Sequence, residues 1–81
     1  MDVRAVEEFV ARFVVAGSSN EKMLFSITTN TNISGITPGQ YDMSLLYDNT
    51  TLVVEKNGKY GRKVYYLDVS KISWLEIYTQ D

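Results

Sequence analysis

The stretch that decides the fold runs over residues 3–29 and reads VRAVEEFVARFVVAGSSNEKMLFSITT. In its first half, apolar residues recur every three or four positions, which places them on one face of a helix. These residues are Val3, Val6, Phe9, Val10, Phe13 and Val14. In its second half the apolar period changes to two, which is typical of a strand. We therefore predict an amphipathic helix over residues 3–16, ended by a left-handed Gly17, and a first strand over residues 23–29.

The rest of the chain keeps the two-residue period and is divided by turn residues. Asn57-Gly58 is the strongest hairpin signal, because this pair tolerates the positive φ angles of a tight turn. The connections are short, so we expect sequence neighbours to pair in the sheet. The fold class is therefore α+β, with one N-terminal amphipathic helix packed on a five- to six-stranded antiparallel β-meander. The further strands are predicted over residues 33–36, 41–47, 51–55, 63–69 and 72–78.

The predicted core combines the apolar stripe of the helix, one face of the sheet and Trp74. Residues 64–69 and 72–77 carry apolar side chains on both faces of their strands. One helix of this length cannot cover two faces of such a sheet. Either the sheet curls into a small barrel, or its second face meets another protein.

Length and composition predict a single domain over residues 1–81, since 81 residues with an apolar fraction of 44% suffice for one core. The absence of cysteine excludes a disulfide framework, and the N-terminal residues do not resemble a signal peptide. The longest apolar stretch, residues 9–16, is far shorter than the roughly 20 residues of a membrane span. We expect a cytoplasmic protein with no membrane-spanning segment.

The residue types that most enzymes use are missing. The chain has no histidine, the commonest general base, and no cysteine nucleophile. Its strand acids are singly spaced rather than clustered, and its glycines match no phosphate-binding fingerprint. We therefore predict that the protein is not an enzyme and holds no cofactor and no metal ion. The acids concerned are Asp42, Asp48, Glu55, Asp68 and Glu76.

A basic segment, residues 56–63, reads KNGKYGRK and holds four of the eight basic residues, although the net charge is −2. Its cations could neutralise phosphates while tyrosine rings stack on bases, as binding of single-stranded nucleic acid requires. The same residues could meet an acidic protein surface or a lipid headgroup, or form a solvated turn. The candidate residues for binding protein or nucleic acid are Lys56, Lys59, Tyr60, Arg62, Lys63, Tyr65 and Tyr66.

The aromatic content exceeds what so small a core needs. The chain has six tyrosines and one tryptophan, the residue types that anchor interfaces, although strand propensity also enriches them. The candidates for an interface are Tyr41, Tyr47, Tyr65, Tyr66, Trp74 and Tyr78.

Residues 39–77 resemble the β-meander of bacterial PH-like and GRAM-like domains. The resemblance is carried by Gly39, by the strand and polar turn of residues 41–49, by LVV at residues 52–54 and by LDVSKI at residues 67–72. It implies a barrel closed by a C-terminal helix, and the sequence predicts no helix at that end.

An N-terminal helix followed by about five strands also resembles an Sm-like barrel, as in the bacterial RNA chaperone ring. Gly35, Tyr41, Asp42 and residues 45–49 fall loosely where that family carries its first motif. The histidine-containing second motif is missing and the chain is acidic, so RNA-binding residues do not carry over. The resemblance implies ring oligomerisation through edge strands more directly than RNA binding.

Together these features predict a non-catalytic protein–protein interaction module. In it, an exposed aromatic sheet face or an unpaired edge strand engages the partner. That partner is either another copy of the chain, giving a homo-oligomer, or a larger protein bound in the manner of an inhibitor. The alternative is an Sm-like or otherwise barrel-type binder of single-stranded nucleic acid that uses the basic segment.

Overall fold

The chain forms one helix and six strands in a computed structural model that describes residues 1–19 and 22–80. Asn20, which the sequence places in the loop after the helix, lies outside this description. In chain order the elements are α1 (Val3–Gly17), β1 (Lys22–Thr28), β2 (Asn32–Ile36), β3 (Tyr41–Leu46), β4 (Thr51–Gly58), β5 (Gly61–Asp68), a 3-10 turn (Val69–Lys71) and β6 (Trp74–Gln80). In the described part of the chain, no helix has the length and apolarity that crossing a bilayer requires.

The predicted helix is confirmed, and side chains satisfy its ends. Asp2 caps the start, where its carboxylate accepts a hydrogen bond of 2.9 Å from the backbone N–H of Arg4. Gly17 is the last helical residue and does not take the left-handed conformation expected of it. Instead the Ser18 hydroxyl donates to the Val15 carbonyl at 3.0 Å, so a serine satisfies a backbone group at the helix end.

The strands divide into two three-stranded antiparallel sheets, ordered β2-β1-β6 and β3-β4-β5. The predicted class, one helix packed on antiparallel strands, is confirmed. Sequence neighbours pair as expected at β1–β2, β3–β4 and β4–β5. The pairing differs from that expectation where β2 and β3 separate into different sheets, and where β6 pairs with β1. Within residues 1–19 and 22–80, no backbone ladder joins the two sheets into a closed barrel.

Two short connections carry the chain from one sheet to the other. The first covers residues 37–40 and contains Pro38, which has no N–H to offer a sheet ladder. The second is the 3-10 turn, after which the Ser73 N–H donates to the Thr28 carbonyl at 2.9 Å. That hydrogen bond attaches the start of β6 to the end of β1.

The core lies where α1 meets both sheets. Phe25 is fully buried at its centre, with ring centroids 5.3 Å from Phe9 and 5.1 Å from Phe13 in edge-to-face geometry. Val14 was predicted to belong to the apolar stripe of the helix that packs on the sheets, but it is exposed. The helix buries only part of that stripe. The buried residues are Val6, Phe9, Phe13, Ala16, Phe25, Ile27, Ile36, Met43, Leu52, Val54, Val69 and Ile72.

Trp74 was predicted to lie in the core, and this prediction is wrong. Its side chain is 61% exposed. On β6 the neighbouring Leu75 and Ile77 pair with the buried Ile27 and Phe25 of β1, so they take the core face. Because successive strand residues point to opposite faces, Trp74 must point outward.

The β4–β5 hairpin is confirmed, but its turn lies two residues beyond the predicted Asn57-Gly58 pair. Gly58 and Gly61 are the last paired residues, and Lys59 and Tyr60 form the turn. A Cβ at Gly58 would lie 3.0 Å from the Gly61 carbonyl oxygen, tighter than nearly all such contacts. A side chain at Gly58 would therefore require the Gly61 carbonyl to move by a few tenths of an ångström.

The turn between β3 and β4 has left-handed backbone at three successive residues. The φ angles are 56° at Tyr47, 54° at Asp48 and 67° at Asn49. Asp and Asn tolerate this conformation better than a bulky residue such as tyrosine. The Thr50 hydroxyl donates to the Tyr47 carbonyl at 2.7 Å and holds the turn closed.

Replacing Phe25 by alanine should lower the free energy of unfolding by about 3–5 kcal/mol, because the change removes a buried ring and leaves a cavity. Tyr66→Ala is the matched control on an exposed strand position and should cost no more than about 1 kcal/mol. Urea unfolding followed by far-UV circular dichroism measures both values. Equal losses in the two variants would contradict the central position of Phe25.

Tyr47→Gly should raise the free energy of unfolding by about 0.5–1 kcal/mol, because left-handed backbone strains a residue with a Cβ but not glycine. Ser44→Gly, in the extended backbone of β3, should lower it by about 0.5–1 kcal/mol. Thermal unfolding of both variants tests the pair. A destabilised Tyr47→Gly protein would show that this turn is not strained.

Candidate functional site

The β4–β5 hairpin distributes the predicted binding residues over two faces. Leu52 and Val54 are buried and define the inner face of this sheet. Lys56 lies two residues beyond Val54 and so shares that face. Lys63 is the cross-strand partner of Lys56, and Tyr65 is the partner of Val54. The structure therefore brings Lys56, Lys63 and Tyr65 together.

Arg62 and Tyr66 lie on the opposite, outer face of the hairpin. The Arg62 Nε atom is 2.7 Å from Glu55 Oε1, so the charge of this guanidinium is already balanced within the sheet. On the same face, the Asn57 side-chain amide donates to Asp42 Oδ2 at 3.3 Å. Tyr66 is 67% exposed there. These two predicted residues are separated from the lysines by the thickness of the sheet.

The inner-face lysines lie over tyrosine rings. Lys56 Nζ is 5.6 Å from the Tyr41 ring centroid, and Lys63 Nζ is 5.2 Å from that of Tyr65. Tyr41 is also the cross-strand partner of Lys56 in the β3–β4 pair. We call these four residues the Lys–Tyr face. Each ring attracts the ammonium group above it and restrains the long lysine side chain.

Lys59 and Tyr60 form the tip of the hairpin. Tyr60 is 93% exposed, the highest value among the large apolar and aromatic side chains of the described residues. Lys59 Nζ lies 5.5 Å from the ring centroid of Tyr60. The tip therefore presents a cation and an exposed aromatic ring beside the Lys–Tyr face.

A second surface, which the sequence did not identify as a site, follows β6. Trp74 and Tyr78 are 61% and 57% exposed and lie on the outer face of the β2-β1-β6 sheet, with Glu76 between them. Both aromatics were interface candidates from composition; that their strand would pair with β1 was not predicted. In the described residues, β6 pairs with β1 alone, so its other edge carries no strand.

A groove of about 470 Å³ runs between α1 and β6. The amino group of Met1 donates to the Val69 carbonyl at 3.2 Å, which holds Met1 near one end of the groove. Glu8 and Arg12, which form an ion pair of 3.4 Å along the helix, supply charge at its helical side. We call it the α1–β6 groove, and its apolar lining consists of Met1, Ala5, Phe9, Trp74, Leu75 and Ile77.

The β6 edge has few of the features that usually protect an edge strand from pairing. Natural edges are blocked by charged side chains, above all lysine, by proline or by a bulge that twists the strand away. β6 contains no lysine and no proline, and Glu76 is its one charged residue. Its register with β1 continues without a shift from Lys22–Gln80 to Thr28–Trp74. The opposite edge of this sheet, β2, does carry an irregularity in its register. β6 is therefore a regular seven-residue edge that another strand can join.

Groups that could hold a metal ion were sought in the same residues. Nowhere in residues 1–19 and 22–80 do three or more His, Cys, Asp or Glu side chains come together in such a group. The two surfaces described above thus offer binding chemistry: a backbone edge with an apolar groove, and a cationic face with aromatic rings.

Comparison of the chain with protein-family models, with curated proteins and with solved structures finds no match. Functional argument therefore rests on the two surfaces themselves.

Asp68 links β5 to the 3-10 turn that leads into β6. Its carboxylate accepts hydrogen bonds from the Ser70 hydroxyl at 2.7 Å and the Ser70 N–H at 2.9 Å. These hydrogen bonds, aided by the nearby Lys71, lower the pKa of Asp68 below its usual value of 3.8. The ionised carboxylate thus favours the turn from which β6 starts.

Because the pKa of Asp68 is lowered by folding, its stabilising contribution is complete above pH 3.8 and is lost as the pH falls through the folded-state pKa. Asp68→Asn should therefore lower stability at neutral pH and flatten the acid limb of the stability profile. Ser70→Ala, which removes one of the two hydrogen bonds, should give an intermediate profile. Urea unfolding at a series of pH values measures all three proteins, and an unchanged Asp68→Asn profile would contradict the stabilising role of the Asp68–Ser70 hydrogen bonds.

Proposed function

We propose that this chain is a non-catalytic protein-interaction module that accepts an extended strand of another protein at the free edge of β6. The observation that carries the proposal is the coincidence, on one strand, of an unprotected edge, two exposed aromatic anchors and an adjoining apolar groove. The absence of histidine and cysteine supports the non-catalytic part.

The backbone of β6 supplies affinity that does not depend on the partner's sequence. An edge strand leaves alternate N–H and C=O groups directed away from the sheet, and an added strand pairs with them. The β1–β6 ladder is regular over all of β6, so these groups are evenly spaced. A partner strand of similar length can therefore form a continuous ladder.

Side chains beside this edge supply specificity. The side chains of a docked strand alternate between its two faces, so one set turns toward the α1–β6 groove and the other toward the outer aromatic face. Phe9, Leu75 and Ile77 offer apolar surface in the groove. Trp74 and Tyr78 on the outer face are of the residue types that dominate binding energy at interfaces.

Two kinds of partner fit this description. A second copy of the chain can supply its own β6, so that two identical edges pair around a two-fold axis. A larger protein can supply an extended segment, in which case the module blocks or positions that protein. The cysteine-free composition is compatible with the reducing cytoplasm, where we place the interaction.

Trp74→Ser and Tyr78→Lys should each abolish association, the first by removing an anchor and the second by also placing a lysine on the edge. Tyr47→Ser and Tyr66→Ser are matched controls, because both replace exposed tyrosines away from β6. Light scattering on dilution gives the mass of a homo-oligomer. Affinity capture with each tagged variant gives the stoichiometry of a heterologous complex.

The expected result is a defined complex that survives in both controls and is lost in both β6 variants. A strictly monomeric protein that captures no stoichiometric partner would contradict the proposal. A complex that is lost equally in the Tyr66→Ser control would move the interface to the other sheet.

A further inference from the structure

The Lys–Tyr face concentrates positive charge in a way that the fold alone does not require. Lys56 and Lys63 are directly opposite each other on neighbouring strands. Like charges at such positions repel and weaken a sheet. Lys59 adds a third cation at the adjacent turn.

The acids of this sheet cannot relieve that repulsion, because they lie on the other face. Glu55 is paired with Arg62, and Asp42 accepts a hydrogen bond from Asn57, both on the outer face. Among residues 1–19 and 22–80, none of the ion pairs found includes a lysine. The two faces of the hairpin therefore differ: its inner face carries exposed lysines, and its outer face carries the acids together with Arg62.

Aromatic rings accompany these cations at short range. Tyr41 and Tyr65 are half-buried and lie beneath the two inner lysines, which keeps the ammonium groups above the sheet surface. Tyr60 extends into solvent from the turn, so its ring offers a flat surface for stacking. A ligand that alternates negative charges with flat rings would match both features.

We propose that the Lys–Tyr face and the hairpin tip bind single-stranded nucleic acid. Lys56 and Lys63 contact phosphates, and a base stacks on Tyr60. An acidic peptide would satisfy the lysines but would leave the exposed Tyr60 ring without a stacking partner. The site lies on the β3-β4-β5 sheet and is separate from the β6 edge, so it goes beyond the strand-binding function proposed above.

The test uses fluorescence anisotropy with labelled oligothymidylate and oligouridylate of about ten nucleotides, within the usual range for such sites. Lys56→Gln combined with Lys63→Gln should weaken binding by about tenfold or more, because each change removes a charge-assisted contact. It should also reduce the slope of log affinity against log salt by about 1.4, since each single-strand phosphate contributes about 0.7. Tyr60→Ser should weaken binding by about fivefold or more through lost stacking.

The matched control is Lys22→Gln combined with Lys71→Gln, which removes the same charge from exposed lysines outside the hairpin. This control and Trp74→Ser should both bind the oligonucleotides as the unchanged protein does. Equal losses in the two double variants would overturn the proposal, as would absence of binding at low salt. If a polyglutamate peptide of equal charge competes for the site as strongly as the oligonucleotide does, the assignment to nucleic acid is overturned. Because Trp74→Ser removes one of the two β6 anchors and leaves the Lys–Tyr face unchanged, the two proposals fail or succeed independently.

Discussion

The packing of Phe25 between Phe9 and Phe13 is the contact on which the rest of the structure depends. It attaches the helix to β1, and β1 is the central strand of its sheet, with β2 on one side and β6 on the other. The edge-to-face geometry of both ring pairs fixes the height of the helix above the strand. Phe25 thus positions α1, which forms one wall of the α1–β6 groove. It also positions β1, which pairs with β6, the other wall.

A single helix over two small sheets leaves more edge and more face uncovered than a closed barrel would. The core fills the space beneath α1, and both sheets contribute to it. Beyond that core, the far end of the β4–β5 hairpin carries exposed lysines. Both candidate surfaces therefore arise from the same cause, which is the small size of the core relative to the number of strands.

The helix and most strand positions follow from the sequence, because the periods of 3.6 and 2 are local properties of the chain. The β1–β6 pairing does not, since it joins residues from opposite ends of the sequence, and the outward position of Trp74 follows from that pairing.

Moving the hairpin turn from Asn57-Gly58 to Lys59-Tyr60 changes the partner of Lys56 from Lys59 to Lys63. The pairing register shifts by an even number of residues, so every side chain stays on the face that alternation assigns to it. Alternation alone therefore places Arg62 on the face opposite Lys56 and Lys63. No local pattern reveals how closely Gly58 approaches the Gly61 carbonyl.

Strand binding at the regular β6 edge, as we propose it, would have an evolutionary consequence. Where backbone groups provide most of the attraction, a partner's sequence is free to change at most positions without loss of pairing. Trp74 and Tyr78 are four residues apart on an extended strand, a distance of about 13 Å. Selection on the partner would then act mainly on the few side chains that meet these two rings. A module that binds in this way can retain a partner whose sequence diverges rapidly, or exchange one partner for another, with few substitutions of its own.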